Sequence, residues 1–429
     1  MTSGSILQLS GACSRYHCRV LRRLDKVVGG FDRRVWLLLL AMLVFRFGQG
    51  LYFPFSTIYF HNVLGIPLSL VGVGLGSLAV ASVISGLISG PLADRLGRKP
   101  PMLLALGGSA ATFSLFAVVD GFAGFLAVSV AAGLLGSAMF DAARNAMVAD
   151  VTPPGMRSRA YGLVRVGGNV GWALGPMTAG LVSAAAGGSG AVYRALFVGT
   201  AVLAALVMLA LALKVRESMP APGTADEKRQ VSGLREALSD TRLLALLGAG
   251  VLLYYVFTQD WQTLPIYASN FVGVLDGRIG LFLGANGLMV ILFQLPVSYL
   301  IDRTSKIGAL LAGAGLFAAS SATLLFTDSF LGILVAFAGF FTLAEMILEV
   351  AGPALAASLA PVRLRGTYLA LFGACFGASY GASPIVAGML LEARLPDVIW
   401  TIQLVAAALA AIGLVTLAGL RKAQSASSK

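Results

Sequence analysis

The residues best suited to chemistry are charged side chains inside otherwise apolar stretches. If such stretches cross a bilayer, each charge costs at least ~2.5 kcal/mol at the membrane centre unless it is paired or hydrated. Residues kept in such places are therefore candidates for proton transfer or for binding a charged solute. Seven residues have this placement: Arg46, Asp141, Arg144, Arg165, Asp260, Glu345 and Glu349.

Three of the acids have the placement expected of a proton carrier. Glu345 and Glu349 are four residues apart, so on a helix they share one face, where two like charges oppose each other. One of the two is therefore expected to hold a proton near neutral pH. Asp260 has no basic residue within a helical turn, which also favours a proton carrier. Purely structural roles for these three acids are the alternative.

The other charges each allow two interpretations. Asp141 has Arg144 three residues further on, so it is either a proton-coupling acid or one side of a local ion pair. Arg46 lies near the middle of the first apolar stretch. It either neutralises Glu345 or binds an anionic substrate, and the sequence leaves both roles open.

Aromatic residues cluster in the first and seventh apolar stretches. We assign Tyr52, Tyr255 and Trp261 to a substrate pocket, together with neighbouring tyrosine and phenylalanine residues. Their ring faces suit cationic amphiphiles. For any single ring, packing against lipid is the alternative.

The composition is that of a membrane protein. Of 429 residues, 58% are hydrophobic and 12% are charged, and the mean hydropathy is +0.86. Soluble proteins carry roughly 25% charged residues. Continuous apolar runs such as 37–44 lack the alternation of a membrane β-barrel. Three cysteines and two histidines predict neither a disulfide framework nor a metal site, so no metal or cofactor is expected.

Twelve apolar runs predict an all-α membrane protein with twelve transmembrane helices. Of the 31 Lys and Arg residues, only Arg194, Arg278 and Arg394 fall in the loops assigned to the outer side. This asymmetry predicts cytosolic termini and a multi-pass protein of the plasma (inner) membrane. The net charge of +12 then indicates lipid headgroups rather than nucleic acid. The runs are 36–60, 67–90, 101–119, 122–147, 160–186, 191–213, 243–268, 278–300, 307–327, 330–355, 366–391 and 397–420.

An internal repeat divides the chain into two halves. A gap-free shift of 208 residues places 92–95 on 300–303 and Asp141 on Glu349. Because six spans separate the copies, both halves have the same orientation, and we expect two pseudo-symmetric six-helix bundles. The predicted segments are a cytosolic N-terminal tail (1–35), a first bundle (36–213), a cytosolic linker (214–242), a second bundle (243–420) and a cytosolic C-terminal tail (421–429).

The loop between the second and third spans carries the sequence GPLADRLGRK at 90–99. This sequence resembles the signature of the major facilitator superfamily. The resemblance implies a conformation-dependent latch in which the second arginine pairs with an acid that ends the fourth span. Asp150 is the matching acid. The residues assigned to this gating loop are Gly90, Asp94, Arg95, Gly97, Arg98 and Asp150.

The fifth span contains the sequence GWALGPMTAG at 171–180. It resembles the glycine-proline signature of the twelve-span drug/proton antiporters, with Ala179 in place of a usual glycine. Small residues one turn apart admit a neighbouring helix, and a proline permits a bend. Small-residue packing without any bearing on transport is the alternative. The packing residues are Gly171, Gly175, Pro176 and Gly180.

These observations predict a secondary active transporter, namely a proton-coupled antiporter that exports lipophilic or drug-like molecules by alternating access. A metabolite or sugar transporter of the same fold, either symporter or facilitator, is the alternative. An enzyme is not expected, because no nucleophile and base pair or metal set is evident. A non-transporting sensor would need a soluble domain, for which no segment between the spans is long enough. The expected partners are a small-molecule substrate, protons and membrane lipids, and the protein is expected to be a monomer.

Overall fold

In the computed structural model of the chain, the long secondary-structure elements are helices. It describes residues 30–153, 156–218, 234–361 and 364–427, apart from the side chains at 90–91, 94, 158 and 422–427. Most of the predicted N-terminal tail and much of the linker lie outside these ranges. The long helical segments in the described ranges are α1 (Arg33–Val63), α2 (Leu68–Leu96), α3 (Lys99–Phe116), α4 (Phe122–Leu134 and Ser137–Val151), α5 (Arg157–Ala185), α6 (Gly190–Lys214), α7 (Thr241–Asn270), α8 (Asp276–Asp302), α9 (Lys306–Leu325), α10 (Phe330–Leu359), α11 (Arg365–Glu392) and α12 (Pro396–Ser427).

Ten of these segments, counted over the described residues, have the length and hydropathy of a membrane span. The segments α3 and α5 fall outside this group. α3 has only 18 residues and begins with Lys99 and two prolines, and α5 carries Arg157 and Arg165. The prediction of an all-helical membrane protein is confirmed, whereas the predicted count of twelve spans is supported for ten segments.

The repeat of 208 residues recurs in the helix boundaries. The first helix of each half begins with the same cap: Asp32 accepts from the backbone N–H of Arg34, and Asp240 accepts from that of Arg242. Such caps satisfy donors that a helix start leaves unpaired. The two halves therefore begin with the same local structure. The matching helix starts are Arg33 and Thr241, Leu68 and Asp276, Phe122 and Phe330, and Arg157 and Arg365.

Helix packing follows the same repeat. In the first half α1 packs on α5 and α6, α2 on α4, and α3 on α4 and α6; in the second half α7 packs on α11 and α12, α8 on α10, and α9 on α10 and α12. Lys99 Nζ donates to the Ala212 carbonyl at 2.6 Å, which joins the start of α3 to the end of α6. We call this side, where α1 and α7 also begin, the terminal face, and the opposite side the distal face.

The halves meet mainly along the pairs α2·α11, α5·α8 and α1·α7. Glycines bring these helices close together: a Cβ on Gly72 of α2 would lie 2.2 Å from the carbonyl oxygen of Pro384 in α11. At the distal face the side-chain amides of Asn62 and Asn270 donate to each other, both at 2.8 Å. These two residues are themselves 208 positions apart, so the pair lies where the two repeats face each other.

Gly72→Ala is expected to separate α2 from α11 and to open the distal face. Overpacking of this kind costs about 1–3 kcal/mol, which corresponds to a shift of roughly 5–150-fold in a conformational equilibrium. The measurement is the yield of thiol cross-linking between Asn62→Cys and Asn270→Cys in a cysteine-free background. Gly86→Ala on the same helix is the control, because no atom lies within 4 Å of a Cβ there. An unchanged yield in Gly72→Ala would contradict the close approach.

Candidate functional site

Two carboxylates hold the loop between α2 and α3 at the terminal face. Arg98 Nε donates to Asp150 Oδ2 at 3.0 Å. Glu217, just after α6, accepts from the backbone N–H groups of Arg98 and Lys99 at 2.8 and 2.9 Å. Gly97 permits this approach, because its φ is +94° and a Cβ there would lie 2.6 Å from Glu217 Oε2. Sequence reasoning missed Glu217, since no local pattern in the linker marks it as a partner of this loop.

The other residues of this motif are less fully described. Arg95 is exposed in the last turn of α2. Gly90 and Asp94 also lie in α2, but the surroundings of these two positions fall outside the described side chains. Their roles in a latch stay predictions.

The glycine-proline sequence of α5 packs this helix on both α1 and α8. Cβ atoms on Gly171 and Gly175 would lie 2.4 and 2.5 Å from backbone carbonyl oxygens of α1. A Cβ on Gly180 would lie 2.8 Å from the Cα of Gly280 in α8, across the two halves. Pro176 lies inside α5, between these contacts. The motif therefore determines how closely α5 approaches α1 and α8. Nothing in these contacts determines a direction of transport.

Asp141 lies between two arginines in the first half. Arg46 Nη2 donates to Asp141 Oδ2 at 2.6 Å, and Arg144 Nη2 lies 3.2 Å from Asp141 Oδ1. The Arg144 side chain is 9% exposed, and its Nε has no hydrogen-bond partner among the described residues. With Asp141 ionised, the cluster keeps one uncompensated positive charge. Arg46 is thus paired with Asp141, which corrects the suggestion that it neutralises Glu345.

The second half repeats this arrangement with different chemistry. Tyr254 and Glu349 lie 208 residues after Arg46 and Asp141, and the Tyr254 hydroxyl donates to Glu349 at 3.1 Å. Since tyrosine brings no positive charge, the ion-pair partner of Glu349 is Arg165 of the first half, also at 3.1 Å. The Arg165 side chain is 58% exposed. This ion pair therefore joins the two halves at a solvated position.

Glu345 faces a neutral partner. Asn286 of α8 donates through Nδ2 to Glu345 Oε2 at 2.7 Å and to the Thr342 hydroxyl at 2.8 Å. Among the described residues Glu345 forms no ion pair. Its side chain is therefore held by an amide, and its charge is not neutralised by direct contact.

Asp260 is fully buried in α7 and also faces an amide. Its Oδ1 accepts from Gln403 Nε2 of α12 at 2.6 Å, and its Oδ2 has no partner among the described residues. Gln403 Oε1 in turn accepts from the Ser321 hydroxyl of α9 at 2.8 Å. Gln403 lies 143 residues from Asp260, so the sequence identified the acid but not the side chain that holds it.

Four aromatic rings lie between the halves, and those of α1 and α5 are nearer the distal face than Arg46 and Arg165 of the same helices. Phe53 lies 5.9 Å from Trp172 and 6.0 Å from Tyr380, and Trp172 lies 5.8 Å from Trp261, measured between ring centroids. Phe53 and Trp261 are 208 residues apart, as are Trp172 and Tyr380. We call these four residues the aromatic quartet. It follows the pseudo-two-fold arrangement of the halves.

The quartet overlaps in part with the predicted aromatic pocket. Trp261 and the neighbouring Phe53 of that prediction are members, whereas Tyr52 and Tyr255 are not. Tyr52 is 3% exposed and packs among three phenylalanine rings inside the first half. Tyr255 is partly buried and packs against a hydrophobic cluster that includes residues of both halves, with its hydroxyl unpartnered in the described part of the chain. Sequence reasoning missed Trp172 and Tyr380, although applying the 208-residue shift to aromatic positions would have paired them.

A family model of the Major Facilitator Superfamily matches residues 38–276 and 261–429. The chain belongs to the Major Facilitator Superfamily. The protein is therefore a multi-pass membrane transporter and not an enzyme, as the sequence motifs predicted.

Relatives in the superfamily include proteins named for drugs and for cations. The multidrug resistance protein MdtH of Yersinia enterocolitica is 27% identical over 398 residues, which span 90% of this chain and 93% of that protein. The Na(+), Li(+), K(+)/H(+) antiporter of Planococcus maritimus is 28% identical over 366 residues, spanning 78% and 84%. A crystal structure of a POT family transporter in complex with 5-aminolevulinic acid matches with a TM-score of 0.72 and 15% identity, covering 91% of this chain and 96% of that one. That likeness shows a shared fold.

Asp141 and Glu349, the acids at matching positions of the two halves, are expected to differ in their contribution to stability. Asp141→Asn leaves Arg46 and the buried Arg144 without a carboxylate, and unpairing a buried charge is costly, here about 1–3 kcal/mol. Glu349→Gln leaves only Arg165, which water solvates, so the loss should stay below about 1 kcal/mol. The thermal unfolding midpoints of the two variants in detergent test this order, and equal midpoints would contradict it.

Proposed function

We propose that this protein is a proton-coupled antiporter that exports lipophilic or drug-like molecules by alternating access. The observation that carries the proposal is that Glu345 and Asp260 are held by amides, from Asn286 and Gln403, and by no cation among the described residues. A carboxylate inside a membrane protein without a fixed counter-charge suits reversible protonation. Asp141 and Glu349, which have arginine partners, would then respond to the charge of their neighbours.

The proposed architecture is twelve spans in two six-helix bundles, at the inner membrane. α3 and α5 complete the count, because each lies in the packing pattern that the other half repeats with α9 and α11. With both termini in the cytosol, the terminal face is cytosolic and the distal face is the outer one. The contacts between the halves extend from the distal face toward the middle of the molecule, which supports an arrangement that is open to the cytosol. The aromatic quartet then separates a cytosolic cavity from the outer side.

The aromatic quartet also supports a lipophilic cargo. Ring faces attract cations at short distance, and large apolar surfaces favour planar compounds. Similarity to the multidrug resistance protein MdtH supports a drug-like cargo, and similarity to a cation/H(+) antiporter supports exchange against protons. In this proposal the protein acts as a monomer, with its apolar outer surface covered by lipid.

The second candidate is a metabolite or sugar transporter, either a symporter or a facilitator. The observation that favours it is the Arg46, Asp141 and Arg144 cluster, because its uncompensated positive charge suits a solute with an anionic group.

The test uses purified protein in liposomes with an imposed pH gradient and a pH-sensitive dye inside. Addition of ethidium, as a lipophilic cation, is expected to start proton flux in the parent protein. Asp260→Asn and Glu345→Gln should each lower this flux by about tenfold or more, since coupling free energies of 1–3 kcal/mol correspond to roughly 5–150-fold effects. Asp302→Asn is the matched control, because that acid is 77% exposed and its one ion pair among the described residues is with Lys306.

Two outcomes would count against the proposal. Solute movement that is unaffected by the pH gradient and by the two substitutions would indicate a facilitator. Proton flux that starts with a panel of sugars or organic anions, and not with lipophilic cations, would favour the second candidate.

A further inference from the structure

Asp260, Gln403 and Ser321 form a buried chain of hydrogen bonds across three helices of the second half. All three residues are fully buried. Gln403 Nε2 donates to Asp260 Oδ1 at 2.6 Å, and the Ser321 hydroxyl donates to Gln403 Oε1 at 2.8 Å. The chain lies between α7, α9 and α12, whereas the next residue of α7, Trp261, contacts Trp172 of the other half. Asp260 is therefore set apart from the aromatic quartet and the charges around it.

The Ser321 hydroxyl has a choice of acceptors. Its oxygen lies 2.8 Å from Gln403 Oε1 and 3.0 Å from the carbonyl oxygen of Phe317, one turn earlier in α9. A hydroxyl has one proton, so it donates to one of these oxygens at a time and keeps its lone pairs for accepting. The second acceptor lets Ser321 reverse its bond to Gln403 without losing a partner.

A primary amide has the same property, because a half-turn exchanges its donor and its acceptor. With Asp260 ionised, Gln403 donates to the carboxylate and accepts from Ser321. With Asp260 protonated, the carboxyl O–H donates to Gln403 Oε1, Gln403 Nε2 donates to the Ser321 oxygen, and Ser321 donates to Phe317. One proton is added at Asp260, no other atom is gained or lost, and every bond in the chain has a donor and an acceptor in both states.

We propose that Gln403 is a positioning residue that sets the pH at which a proton site at Asp260 loads, and that Ser321 supports Gln403 in both protonation states. The inference rests on the proposed proton coupling and adds the residues that control it. Burial without a partner would strongly penalise one protonation state, but here the amide serves both. A site of this kind leaves neither protonation state of Asp260 without a hydrogen-bond partner.

In the described part of the chain, the groups that interact with Asp260 are uncharged. Gln403 of α12 is its one described hydrogen-bond partner, and the neighbouring Gln259 of α7 is uncharged. Among the described residues, no arginine, lysine, histidine or second acid interacts with Asp260 from α7 or from the helices packed on it. A change in its loading pH is therefore attributable to the amide.

The direction of the effect follows from hydrogen-bond strength. A bond from an amide to a carboxylate is stronger than one between neutral groups. Gln403→Leu removes the stronger bond from the ionised state and the weaker one from the protonated state. The proton should then bind more readily, and the midpoint of loading should move to higher pH by about one unit.

The primary measurement is infrared absorption of the protonated carboxyl group, followed as purified protein is titrated without substrate. The band that disappears in Asp260→Asn belongs to this site. In Gln403→Leu its midpoint should lie about one pH unit above that of the parent. Gln262→Leu is the matched control, because this buried glutamine of α7 donates to Ser383 and to the Tyr380 carbonyl and does not contact Asp260. If Gln403→Leu does not fold, Gln403→Met gives a side chain of similar length without a donor.

Ser321→Ala distinguishes an effect of the Gln403 hydrogen bond on proton loading from a general loss of structural support. It removes one bond from each protonation state, so the midpoint should stay close to that of the parent. A midpoint unmoved in Gln403→Leu, or moved equally in Ser321→Ala, would overturn the inference. Liposome exchange distinguishes this failure from failure of the proposed function. If the parent exchanges protons for substrate but the Gln403→Leu midpoint is unchanged, only the inferred role of Gln403 is wrong. If the parent shows no exchange, the antiport proposal itself is wrong.

Discussion

The cost of a charge in an apolar interior is the constraint on which the rest of this structure depends. Two of the intramembrane acids, Asp141 and Glu349, are matched by arginines, and two, Asp260 and Glu345, are matched by amides. An arginine fixes a carboxylate in its ionised form, whereas an amide stabilises either form. The choice of partner therefore divides the acids by the chemistry available to them. The acids held by arginines form ion pairs within and between the halves, and the acids held by amides are those to which the proposed function assigns a change of charge.

The internal repeat makes this division visible, because the same backbone position is filled with different chemistry in each half. Arg46 bonds to Asp141 in the first half, and Tyr254 bonds to Glu349 at the matching positions of the second. Since tyrosine cannot neutralise the acid, Glu349 takes its cation from Arg165 across the interface. A substitution inside one repeat thus creates a contact between the repeats. The charge balance of the second half depends on where the first half lies.

The sequence predicted the helices and the repeat well, because both depend on hydropathy and on residue spacing along one chain. It also identified the acids, since a charge in an apolar run is conspicuous. It missed Gln403, Ser321 and Asn286, because neutral polar residues are common in apolar helices and their partners are distant in sequence. Tyr52 was misplaced for a related reason: the facing of one aromatic residue depends on helix rotation, which a weakly amphipathic span leaves undetermined.

The contacts between the halves have a composition that suits repeated opening. At the distal face, glycines approach backbone carbonyls, and the Asn62 and Asn270 amides bond to each other. Two carboxylates also bond across the halves there: Asp276 accepts from Ser183, and Glu392 accepts from the backbone N–H of Ser69. Nearer the terminal face, the half-exposed Arg165 and Glu349 can exchange their ion pair for water at little cost. In the proposed mechanism, a change in charge at Glu345 or Asp260 shifts the balance between the arrangements in which these contacts are made and broken.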